Sequence, residues 1–137
     1  MPFTYLDTEQ VIRANVRLTE AFGQAPGLLS EANLSHYLEA VQRYGETISD
    51  GRGRLFKKAA FLLYHLAFDA HAFMDGNKRT ALFAAFAFLQ ANGYEFVGAG
   101  EVSQQERAAF VKEVAFGKCS VQAVAKWLDW HCRKIGP

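Results

Sequence analysis

Cysteine is scarce in this chain. Cys119 and Cys132 are its only two, too few and too far apart for a disulfide framework, and they form no CxxC metal pattern. Both stand in helical-looking sequence and read as buried or half-exposed free thiols, which suits a reducing cytoplasm. An excess of one charge is also missing: the formal net charge is +1. That excludes the basic stripe of a general nucleic-acid binder, and no direct nucleic-acid binding is expected. Long apolar runs are absent too. The longest are broken by Asp69, His71, Asp75 and the Lys78-Arg79 pair, so no membrane span is expected. The start, Met-Pro-Phe-Thr-Tyr-Leu-Asp, has no basic region followed by an apolar stretch, and no signal peptide is expected. There is no repeat, low-complexity stretch or linker.

What is present is a core. Half of the 137 residues are apolar and twelve are Phe. One domain over residues 1–137 is expected, with enough apolar surface to fold alone. Helix signals dominate. Asp7, with Gln10 at the capping-box position, starts a helix through Val11, Ile12, Val16 and Leu18 that stops at Gly23. Gln24 to Leu29 reads as a loop. Ser30 caps a helix carrying Leu34, Tyr37, Leu38 and Val41 that stops near Gly45. Glu46 to Gly53 reads as a loop or short flap, with Arg52 and Arg54 on a mobile surface by default and contact with target or nucleotide as the alternative. Arg54 to Ala70 forms a helix with a broad apolar face, and His65 is a core or groove residue on it. Lys78 to Ala91 is apolar nearly all round, which places it in the middle of a bundle; Asn92-Gly93 stops it. Tyr94 to Val97 reads as a short extended piece. Ser103 and Glu106 form a capping box for a helix to Phe116. Ser120 begins the last helix, with Trp127 and Trp130 as core and rim packing. The fold class is all-α, a bundle of about six helices.

Residues 71 to 80, His-Ala-Phe-Met-Asp-Gly-Asn-Lys-Arg-Thr, concentrate the chemistry. Phe73 anchors the stretch in the core. Gly76 permits a positive φ or close approach of a ligand. Asn77 caps the next helix through its side-chain oxygen. The free N–H groups at that helix start make an anion site. Lys78 and Arg79 oppose the helix dipole there, and a bound polyphosphate explains them. Asp75 is a hard oxygen ligand suited to Mg²⁺ shared with phosphate oxygens. His71 is placed to accept a proton near neutral pH. A transition-metal site at His65, Asp69, His71 and Asp75 is the weaker reading, because Asp69 and His71 straddle a helix end. Each residue alone has an ordinary structural explanation; the argument rests on their conjunction.

That stretch resembles the central motif of the Fic/Doc family, His-x-Phe-x-Asp/Glu-Gly-Asn-Gly-Arg-x-x-Arg. The form Asn-Lys-Arg-Thr-Ala is similar to the Doc branch, the death-on-curing toxins of bacterial toxin–antitoxin pairs. Phe3-Thr-Tyr-Leu, Pro26-Gly27-Leu28-Leu29, Phe88-Leu89 with Asn92-Gly93, and Trp127-Leu128 extend the similarity over most of the chain. The resemblance implies a compact helical fold with a short flap or loop near the active site. It implies that His71 deprotonates a target hydroxyl and that Asp75 holds Mg²⁺ on the phosphates of ATP or another nucleoside triphosphate. Gly76, Asn77, Lys78 and Arg79 would line the phosphate cradle, and Phe73 would be structural.

Two departures bear on the reaction. Lys78 stands where most Fic enzymes carry Gly, and Leu82 where they carry a second Arg. Without that Arg, a nucleotide turned the other way presents its γ-phosphate. The resemblance then implies phosphoryl transfer to a Ser or Thr hydroxyl of a protein, as in Doc toxins acting on a translation elongation factor. Adenylyl transfer is the alternative, kept open by Gly76; an inactive nucleotide- or partner-binding module is the second. Ser35-His-Tyr-Leu-Glu39-Ala40 lacks the last residue of the Fic self-inhibitory motif. Inhibition is therefore expected from a separate small antitoxin that covers the site.

Overall fold

The computed structural model describes residues 2–97 and 104–136. Among the described residues, six helices and two short strands run in the order α1 (Thr8–Ala21), α2 (Glu31–Arg43), α3 (Gly51–Phe68), α4 (Asn77–Ala91), β1 (Tyr94–Phe96), α5 (Gln104–Ala115), α6 (Val121–His131) and β2 (Cys132–Lys134). The helical class and the helix count agree with the sequence.

Local chemistry explains the helix starts. Asp7 accepts from the Gln10 N–H at 2.8 Å while the Gln10 side chain accepts from the Asp7 N–H at 2.9 Å, a complete capping box. Ser30 and Ser120 each accept from a backbone N–H three residues on, at 3.0 and 3.1 Å. α3 begins three residues earlier than the glycines suggest. Asp50 caps it by accepting from the Gly53 N–H at 2.8 Å, and this drives Gly51, Arg52 and Gly53 into the first turn. Arg52 and Arg54 are thus helical residues rather than parts of a mobile loop. Arg52 is ion-paired to Asp129 at 2.7 Å, and Arg54 donates to the Ile48 carbonyl at 2.9 Å. The capping box expected at Ser103 and Glu106 lies partly outside the described residues.

α3 is the central helix. It packs against α2, α4, α5 and α6, and it buries Leu55, Phe56, Ala59, Ala60, Phe61, Leu62, Leu63 and Leu66. α4 was expected in that role. It buries Ala81, Ala84, Ala85, Phe88 and Leu89 against α1, α3 and α5, but Phe83 on its other side is 40% exposed. The small Ala faces let α4 approach α3 closely, so α4 is an apolar helix with one open side.

The C-terminal part differs most from expectation. β1 pairs antiparallel with β2 in the register Tyr94↔Lys134, Glu95↔Arg133 and Phe96↔Cys132. Cys132 is therefore a buried strand residue, and half-buried Cys119 lies in the turn after α5; neither is helical, and both are free. Trp127 stacks on Phe110 with ring centroids 4.2 Å apart. Trp130 does not pack at a rim and is 86% exposed. No helix among the described residues is long and apolar enough to cross a membrane.

Candidate active site

The motif forms the connection from α3 to α4. The N–H groups of Asp69 and Ala70 both donate to the His65 carbonyl, at 3.1 and 2.8 Å, and turn the chain out of α3. His71 follows with φ 46°, the one described non-glycine residue with a positive φ. Such a conformation costs a residue with a Cβ of the order of 1–3 kcal/mol and persists only where its surroundings impose it. The His71 side chain is exposed, and its ring makes no hydrogen bond or ion pair among the described residues.

The surroundings that impose it are a strand-like strip and the core. The strip is Gly27 to Ser30. Leu28 and Phe73 form an antiparallel bridge. The N–H groups of Leu29 and Ser30 donate to the Ala72 carbonyl at 2.7 and 3.1 Å, and the Met74 N–H donates to the Gly27 carbonyl at 2.9 Å. Phe73, 3% exposed, is held in the core as an anchor. The short loop beside the motif is thus Gly27–Ser30. Glu46–Gly53 starts the other end of α3, a helix of 18 residues and roughly 27 Å.

At the α4 start, Gly76 has φ 77° and no side chain caps the helix. The first helical bond runs from the Thr80 N–H to the Gly76 carbonyl, at 2.8 Å. The N–H groups of Asn77, Lys78 and Arg79 precede that bond and stand at the positive end of the helix dipole. Asn77 is not the cap that was expected. It is the first helical residue, and its amide exchanges two bonds with the Phe73 backbone: Oδ1 accepts from N–H at 3.1 Å and Nδ2 donates to the carbonyl at 2.7 Å. The glycine left-handed turn swings the chain so that the amide meets Phe73 instead of the helix end. Its side chain braces the loop.

Of the charged residues, Lys78 is exposed and Asp75 half-buried, and neither side chain has a partner among the described residues. Arg79 is held. It donates to Gln24 Oε1 at 3.1 Å, and its guanidinium lies 3.7 Å from the centre of the Phe22 ring. Leu82, at the position of the second Arg in the Fic pattern, packs against the core.

Sequence reading missed the support beneath the motif. Asn15, 1% exposed, donates through Nδ2 to the Asp75 carbonyl at 2.9 Å and to Thr80 Oγ1 at 3.0 Å. Thr19, fully buried, donates its hydroxyl back to the Asn15 carbonyl at 2.8 Å and turns its methyl to Gly76. The signal was available: Asn15 and Thr19 follow Val11 at spacings of four, so three residues of one helix face are apolar, amide and hydroxyl.

His65 is a groove residue, as expected. Its Nδ1 meets Asp69 Oδ1 at 2.8 Å, and its ring stacks on Tyr37 at 4.5 Å. Tyr37 donates to Asp69 Oδ2 at 3.2 Å; burial first, then the Asp69 carboxylate, pushes its phenol above the usual range. Asp69 is committed to these neighbours. Among the described residues no group of three His, Cys, Asp or Glu side chains could hold a metal alone. A cation here would have to share Asp75 with a ligand's oxygens, which suits Mg²⁺ on a phosphate.

A loop of this construction places a base candidate before a helix start with no side-chain cap, on a helical scaffold. Residues 5–89 match the model of the Fic/DOC family, and the chain belongs to that family. Over 123 residues, 88% of each chain, it is 38% identical to Toxin Doc of Mycolicibacterium smegmatis.

Proposed function

We propose that this chain is a Doc-like toxin of a toxin–antitoxin pair, a transferase that moves a phosphoryl group from ATP or another nucleoside triphosphate to a Ser or Thr hydroxyl of a protein. A translation elongation factor is the target class that the family resemblance suggests. The observation that carries this reading is the juxtaposition at the α3–α4 connection. An exposed His71 in a strained conformation precedes an uncapped helix start flanked by Asp75, Lys78 and Arg79.

His71 takes the proton from the target hydroxyl. The freed oxygen attacks the γ-phosphorus, the bond from that phosphorus to the β,γ-bridging oxygen breaks, and the nucleoside diphosphate leaves with the electron pair. The N–H groups of Asn77, Lys78 and Arg79 and the two cations hold phosphate oxygens and oppose their charge. Asp75 would hold Mg²⁺, which when bound supplies charge neutralisation on the phosphates. With Leu82 packed on the core, the cation that orients the distal phosphates for AMP transfer is missing, which favours the γ-phosphate as the group transferred.

Glu39 and Ser35 line a shallow cleft with Leu6, Asp7 and Thr8 at the start of α1. With the self-inhibitory motif incomplete at Ala40, inhibition by a separate antitoxin is the reading we adopt.

Two measurements test the reading. Expression is expected to arrest growth, and His71→Ala is expected to abolish the arrest with the helical spectrum unchanged; full toxicity of that variant would remove His71 as the base. Incubation with ATP labelled at the α- or the γ-phosphate separates the reactions. Only the γ label is expected in the modified protein. Transfer of the α label would establish adenylyl transfer, the reading that Gly76 supports, and nucleotide binding without any transfer would establish a binding module.

A further inference from the structure

The buried polar residues of α1 do more than fill the core. An amide and a hydroxyl on an otherwise apolar helix face are unfavourable unless their bonds are made. Here the Thr19 hydroxyl is satisfied within α1, by the Asn15 and Val16 carbonyls at 2.8 and 3.1 Å, while the Asn15 amide reaches out to the motif. Asn15 Nδ2 spans the α4 start, bonding the Asp75 carbonyl on one side and Thr80 Oγ1 on the other, at 2.9 and 3.0 Å. Thr80 is itself 1% exposed, so no water replaces Asn15 there without rearrangement. Thr19 closes the third side: a Cβ at Gly76 would meet its Cγ2 at 2.8 Å and Asn15 Nδ2 at 3.2 Å. The turn that carries the Asp75 carboxylate thus rests on α1, a helix remote in sequence, and is tied to that helix by one amide.

We propose that Asn15, through its bonds to the Asp75 carbonyl and Thr80, is a positioning residue that sets the direction of the Asp75 carboxylate and of the α4 N–H groups towards one shared anion. This rests on the proposed nucleotide site. Asn15 touches no reacting atom; it acts through Asp75 and Thr80. Losing its bonds leaves the ligands in place but unaligned, so the metal-dependent part of nucleotide binding suffers first.

The test is ATP binding by the full chain as a function of Mg²⁺ concentration. Asn15→Leu removes both bonds and Thr80→Val only the one to Oγ1, each with the branched shape of the side chain kept. Thr80→Val is expected to raise the Mg²⁺ concentration for half-maximal binding about tenfold, the size of one lost oriented hydrogen bond, and Asn15→Leu at least as much. Thr80→Ser keeps the hydroxyl and is expected to titrate like the parent chain. Lys58→Met, a buried substitution far from the motif, is expected to lower thermal stability without moving the Mg²⁺ titration, which separates positioning from general destabilisation. In the free protein, the backbone amide signals of Asp75, Gly76 and Asn77 are expected to broaden in Asn15→Leu and Thr80→Val. The inference is overturned if both variants titrate like the parent while Asp75→Asn loses Mg²⁺ dependence. If Asp75→Asn also titrates like the parent, the nucleotide-site reading fails first and takes the inference with it.

Discussion

Gly76 is the residue on which the site turns. Its φ of 77° belongs to glycine, and its α-carbon lies flush against Thr19 and Asn15. Gly76→Ala is expected to cost about 2–3 kcal/mol, from backbone strain together with the 2.8 Å approach to the Thr19 methyl. Urea denaturation checks it. The Gly76→Ala/Thr19→Ser double variant removes the methyl and should recover part of the loss, a coupling that independent sites would not show. At this scale the sequence was informative where a residue type has few uses. His71, Asp75 and Gly76 stand out because their spacing has one economical explanation. Asn77 was misassigned because an amide before a helix has two geometries open to it, and the left-handed turn at Gly76 selects the brace to Phe73. Asn15 and Thr19 share the buried face of Val11 by spacing, but what they hold shows only in the partners that the fold brings to them.

At the scale of elements, α2 and α3 are tied by a buried cation that hydropathy hides. Lys58 is fully enclosed. Its Nζ donates to the Val41 and Gln42 carbonyls at 2.8 and 3.0 Å and meets Glu46 Oε2 at 2.8 Å. A cation at the C-terminal carbonyls of α2 satisfies groups that a helix end leaves open and sits at the negative end of the dipole. Lys58→Met is expected to cost about 2–3 kcal/mol, since two carbonyls lose their donor while the exposed Glu46 is free to turn to water. The hydrogen bond from Lys58 holds the Glu46 carboxyl below the usual range. The ion pair therefore contributes above the ordinary value of 4.5 and is lost as pH falls through the lowered one. The difference in melting temperature between the parent chain and Glu46→Gln should shrink in acid; a constant difference from pH 7 to pH 3 would contradict the pairing. Helix existence was legible here because caps and apolar periodicity are local. The start of α3 was not, because an Asp50 cap outweighs two glycines in the first turn, and the glycine pair was read as a loop.

At the scale of the whole molecule, both ends of the chain close on the end of α4. The Thr4 backbone exchanges two bonds with the Asn92 amide, at 2.8 and 2.9 Å, and β2 pairs with β1 just beyond it. The pairing joins residues nearly forty apart, so nothing local announces β2, and Cys132 looks helical in a sequence window. Arg52 fastens this closure to α3. It reaches Asp129 and lies 4.9 Å from the ring centres of both Phe56 and Tyr94. Cys132 is sealed beneath. Burial pushes its thiol up to about 12, with Arg52 pulling against the rise and Asp129 adding to it. The folded state therefore keeps the proton that the unfolded chain releases near 9. The stability this contributes is full below pH 9 and is lost as pH rises towards 12. With the thiol raised and buried, iodoacetamide should reach Cys132 only when the β1–β2 closure opens. Cys119 is raised too, by burial and by Glu113, but it is half-buried and should alkylate first. Arg52→Ala is expected to bring the Cys132 rate up towards that of Cys119 by loosening the closure, although removing a cation alone would make the thiol less acidic. A slower Cys132 reaction in Arg52→Ala would show that Arg52 acts on the thiol by charge and not by holding the end of the chain in place.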